Sequence, residues 1–81
     1  MDHTDVISLT QLSVNHHGII SALDHAVVEA IRLISLGFTP GAEVSMAQNY
    51  GFGPLIVNVR GTWVALGRGE AAKILVERKL A

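Results

Sequence analysis

Four histidines, His3, His16, His17 and His25, carry the most conspicuous chemistry in this chain, because neutral imidazole is a common ligand for first-row divalent metals. Their spacing does not build a site. Adjacent residues on an extended segment point to opposite faces, which separates His16 from His17, and no Asp, Glu or Cys stands at a helical spacing that would complete a tetrahedral set. Surface or turn histidines are expected, weak divalent-metal binding is open only to His16 with His25, and no metal ligand is assigned. No serine or threonine has a base partner and no two carboxylates fall in a predicted cleft, so the reagents of acid–base and nucleophilic catalysis are missing. The chain reads as a non-enzyme. Gly67-Arg68-Gly69-Glu70 lacks the strand, turn and long helix that a phosphate loop requires, and no cofactor is implied.

The residue types that remain are those of recognition. Tyr50 and Phe52 flank Gly51 in a loop, where exposed aromatic side chains act as binding anchors or fold back to plug one end of the core. Val28 and Leu36 lie outside the main apolar stripe of a predicted helix. These four residues, Val28, Leu36, Tyr50 and Phe52, are the candidate partner contacts. Trp63 is expected to pack against the helix or against a neighbouring chain.

Composition agrees with a surface meant for protein. Hydrophobic residues make up 49% of the 81 and charged residues 16%, more apolar side chain than one small core hides comfortably. With no cysteine the fold rests on neither disulfides nor a zinc–thiolate centre, so packing holds it, helped by any self-association. A net charge of -1 supplies no footprint for phosphates and argues against nucleic acid. The acidic start, MDHTDVISL, is unlike a signal peptide, and the best apolar run, AVVEAIRLISLGF, is broken by Glu29 and Arg32 well short of the ~20 residues that span a bilayer. The expected location is the cytoplasm, with no direct membrane insertion.

The elements that must position these residues follow from periodicity. Residues 1–6 read as a mobile arm and 7–81 as a single domain. Ile7, Leu9 and Leu12 open the apolar pattern, Asn15 suits a turn, and a strand runs from Ile19 to Leu23. Asp24 is the expected N-cap of a helix from His25 to Leu36, ended by Gly37, with Val27, Ile31, Ile34, Ala30 and Leu33 toward the core. That apolar arc covers roughly 160°, against the ~100° that faces one core. Thr39-Pro40-Gly41 is a turn. Val44 and Met46, then Leu55, Val57 and Val59, then Val64 and Leu66 mark the inner faces of three strands, the last two joined by a two-residue turn at Arg60-Gly61. Glu70 to Lys73 suits a helical turn and Ile74 to Val76 a closing strand. About five short strands and one inserted helix make a mainly β fold, a small SH3-like barrel whose sheet closes on itself to leave no unpaired edges.

In order and spacing, SLTQL, RLISLGFTPGAEV, GPLIVNVRG and WVALGRGEAAKILVE resemble the ferrous iron transport protein A (FeoA) family from about Ser8 to Glu77. The most specific stretch is Arg32 to Val44, followed by Gly53 to Gly61 and by Leu66, Glu70-Ala71, Ile74 and Val76. Val14-Asn15 stands where the family often has Pro-Gly. The resemblance implies an SH3-like barrel with helical insertion and a cytoplasmic adaptor of ferrous iron uptake that contacts the membrane GTPase iron transporter, without catalytic residues; the sequence itself leaves a homo-oligomer open. It also leaves open an arginine, Arg32, Arg60 or Arg68, acting on that GTPase in trans. The fold is similar too to the C-terminal domain of iron-dependent repressors, which makes a metal-sensing module the alternative reading.

Overall fold

The structure, a computed structural model, describes residues 3–80. In chain order it holds β1 (His3–Ser8), a short 3-10 helix (Leu9–Gln11), β2 (His17–Leu23), α1 (Val27–Ser35), β3 (Glu43–Gln48), β4 (Leu55–Val59), β5 (Thr62–Leu66), α2 (Arg68–Ala71) and β6 (Ile74–Leu80). The strands form one antiparallel sheet in the order β1-β6-β2-β3-β4-β5.

Inward-facing residues follow the alternation read from the sequence. Leu55, Val57 and Val59 of β4, Val44 and Met46 of β3, and Ile74 and Val76 of β6 are buried, together with Leu9, Leu12 and Phe38. No polar or charged residue is buried among the described residues. Two bulges, one in β2 between Ile20 and Ala22 and one in β3 between Met46 and Gln48, break the register where the sheet must bend. The strand β2 serves two partners, pairing with β3 over His17–Ile19 and with β6 over Ile19–Leu23.

The structure has six strands against the expected number of about five, because residues from His3 on form one. The arm expected over residues 1–6 is, from His3 on, part of β1, paired with β6 from His3 opposite Leu80 to Ser8 opposite Leu75; residues 1 and 2 lie outside the described part. Backbone pairing to an otherwise open β6 edge outweighs the ordering cost of a polar segment. Arg78 on β6 adds a two-pronged contact to Asp5, with Nη2 donating to Oδ2 at 3.0 Å and Nε to Oδ1 at 3.4 Å. The closure of the sheet also differs. Among the described residues β1 and β5 share no ladder. Ile7 of β1 and Val64 and Leu66 of β5 instead meet the same apolar core, so side-chain packing draws the ends together and leaves two strand edges.

The helix is shorter than expected and enters differently. Asp24 is not its N-cap, because its N–H donates to Lys73 O at 2.9 Å and prolongs the β2–β6 pairing. Ala26 takes that position, without a side-chain cap. The C-terminal end is built as the Leu-Gly signal implied. Gly37 has φ +111°, and the N–H groups of Gly37 and Phe38 donate to Ile34 O and Leu33 O at 3.0 Å each, the paired bonds of a Schellman motif. Leu33 and Phe38, brought together by that motif, are both fully buried.

Candidate interaction surface

Only Leu33 among the residues of α1 is buried. Val27, Ile31 and Ile34, expected in the core, are exposed by 74%, 62% and 45%, which corrects the orientation of the helix. The apolar arc was wider than one core needs, and the Leu33 side of it faces in. Val28, at 81% exposed, lies on the outward face, and Leu36 stands at the C-cap at the margin of exposure. The helix thus shows solvent a continuous apolar ridge of Val27, Val28, Ile31 and Ile34.

The loop between β3 and β4 carries the other candidates. Tyr50 is 69% and Phe52 74% exposed, so neither plugs the core. What fixes the loop is Asn49, a residue the sequence did not single out. Its Nδ2 donates to Thr10 O at 3.0 Å and Leu12 O at 3.1 Å, and its Oδ1 accepts from Gly51 N at 3.2 Å and from Arg68 Nη2. Every donor and acceptor of the amide is used.

The short helix α2 ties this loop to α1. Arg68, between two glycines, is half-buried with its Nη2 on Asn49 and its Nε enclosed. Glu70 pairs through Oε2 with Arg32 of α1, and its carbonyl accepts from His25 Nε2 at 2.8 Å. One four-residue turn therefore holds the root of the helix, its middle, and the base of the aromatic loop. Arg32 and Arg68 are committed to these contacts, and exposed Arg60 donates from Nη2 to Thr39 Oγ1 at 2.8 Å.

The histidines are not brought together. His16 and His17 are exposed on the turn into β2, His25 is half-buried against α2, and the side chain of His3 lies outside the described part. His17 Nδ1 stands 3.9 Å from Glu43 Oε1, beyond hydrogen-bond reach, with both side chains open to solvent. Among the described residues no three His, Cys, Asp or Glu side chains converge as ligands. An open polar groove of ≈ 360 Å³ between Gly41–Glu43, Ser45, Asn58 and Arg60-Gly61 offers one carboxylate and one guanidinium. No described helix is long and apolar enough to cross a membrane.

Comparisons with known proteins agree with this architecture. A relative from Methanocaldococcus jannaschii, named an Fe(2+) transport protein A, is 36% identical over 59 residues, covering 73% of this chain and 71% of its own. A crystal structure described as an iron uptake regulatory protein (FeoA) superposes with a TM-score of 0.85 at 32% identity, covering 94% of this chain and 100% of that one. The FeoA of Stenotrophomonas maltophilia, crystallised with zinc and described as a procaryotic SH3 domain protein, superposes with a TM-score of 0.76 at 33% identity over 93% of this chain and 99% of its own. The bulged antiparallel sheet is accordingly SH3-like. With residues 7–78 matching the FeoA domain, the chain belongs to the FeoA family.

Proposed function

We propose that this chain is a non-catalytic accessory protein of ferrous iron uptake, acting in the cytoplasm by binding the membrane GTPase iron transporter through the outer face of α1 and the Tyr50–Pro54 loop. Family membership supports the iron-uptake role. The observation that carries the binding surface is the exposure of Val28, Leu36, Tyr50 and Phe52 on elements that a single short helix, α2, holds in place. Large apolar side chains held in water are unfavourably exposed, and a partner that covers them recovers about 25 cal/mol per Å² of apolar area removed from water. Rigid aromatic anchors add affinity because few rotamers are lost on binding.

The test is co-purification of the transporter with Leu36→Ser and Phe52→Ser, alone and combined. Each change is expected to weaken binding by ~30-fold or more, the effect of losing about 2 kcal/mol at a hot spot, with the far-ultraviolet circular dichroism spectrum unchanged. Retention of the transporter by the double variant at wild-type strength removes this surface from the proposal.

A further inference from the structure

β5 is one end of the sheet, and among the described residues no strand pairs with its outward edge. The two-residue turn Arg60-Gly61, with φ of 52° and 79°, makes Val59 and Thr62 a hydrogen-bonded pair, so Thr62, Val64 and Leu66 turn their backbone groups toward β4. The N–H and C=O of Trp63 and Ala65 consequently point away from the sheet. No other backbone or side-chain bond among the described residues reaches them. Edge strands are normally blunted by charge, proline, a bulge or a cover. The sequence Thr-Trp-Val-Ala-Leu has none of the first two, pairs with β4 without a register shift, and leaves Trp63 66% exposed. The opposite edge differs, since β1 carries Asp5 and ends where Gln11 Oε1 accepts the Ser8 N–H.

We propose that β5 is a self-pairing strand through which two copies of this chain form a two-fold dimer, their sheets joined edge to edge. The occupant is set by register. An antiparallel pair centred on Val64 places Trp63 of one copy opposite Ala65 of the other, twice. Those are the residues whose N–H and C=O face outward, so each such pair exchanges both of its bonds and all the free edge groups of Trp63 and Ala65 are used. Shifting the centre to Trp63 sets Ala65 opposite Gly61, a turn residue with positive φ, and forfeits those bonds. On the outer face the centred register lays each large indole beside a small methyl, so two bulky side chains never compete for one position. Val64 meets its own copy as a non-hydrogen-bonded pair, with Cα atoms about 4.5 Å apart. This surface is separate from the α1 ridge and the Tyr50–Pro54 loop, so dimer formation does not depend on the transporter-binding reading.

The chain has no cysteine, so Val64→Cys introduces a unique thiol at the two-fold centre, at a spacing within the roughly 4.4–6.8 Å that a disulfide spans. Sedimentation of the full chain is expected to give twice the 8.6 kDa of one copy as concentration rises, and Val64→Cys to form a covalent dimer under mild oxidation that reductant reverses. Ala65→Pro removes an outward donor while leaving the β4 ladder intact, and is expected to raise the dimer dissociation constant at least ~10-fold; Ala65→Lys, which keeps the donor but places charge on the edge, does the same should the proline variant not fold. A chain that stays monomeric up to about 1 mM leaves this edge to some other strand and overturns the proposal. So does a dimer that neither Ala65 variant weakens and that Val64→Cys does not cross-link.

Discussion

Asn49 shows how much one side chain can hold. Its amide bonds two carbonyls of the segment after β1, a backbone N–H of its own loop and the guanidinium of Arg68, and it directly precedes Tyr50. Removing it strands half-buried partners, so Asn49→Ala is expected to cost about 1–3 kcal/mol in urea unfolding. It should also weaken the proposed transporter binding beyond that of a surface control away from both elements, such as Glu77→Ala on β6, because the aromatic loop loses its base. None of this could be read from the chain. The partners Thr10 and Leu12 lie 39 and 37 positions away, and an isolated asparagine before Tyr-Gly looks like turn chemistry alone. The exposed aromatics were legible as a choice between two fates, and their exposure decided it.

Among the elements, the β3, β4 and β5 strands were legible because alternation with period two names the inner face directly. The hairpin at Arg60-Gly61 was legible for the same local reason, since two residues cannot turn a chain otherwise. α1 was harder. Its arc of apolar residues is too wide to say which part faces in, and the answer comes from the Schellman motif that drives Phe38 and Leu33 into the core and from Arg32 bound to Glu70. The energetic contrast is measurable. Leu33→Ala is expected to cost about 2–5 kcal/mol, as for other fully buried leucines, whereas Val27→Ser, at an exposed site of the same helix, should stay within about 0.5 kcal/mol. Equal losses from the two in chemical denaturation would reverse the assigned orientation. The start of β1 at His3 and its pairing could not be read from the sequence, because its partner, β6, lies at the far end of the chain and short-range pattern carries no sign of such pairing.

At the scale of the fold, one apolar core serves six strands with no disulfide and, among the described residues, no buried charge to support it. Most of its pairings join residues distant in sequence, so refolding from denaturant at dilute concentration is expected in milliseconds to seconds rather than microseconds, and reductant should leave that rate unchanged. Stopped-flow tryptophan fluorescence reads it through Trp63. The position of β6 carries this further. It follows β1 to β5 in the chain, yet it lies between β1 and β2 and is the one strand that pairs with β1 among the described residues. During synthesis the ribosome releases β1 through β5 with that slot vacant, so the emerging polypeptide cannot lock its first strand until residues 74–80 clear the exit tunnel. A stalled or prematurely ended translation product lacking this strand would therefore display raw strand edges to the cell's chaperones and proteases.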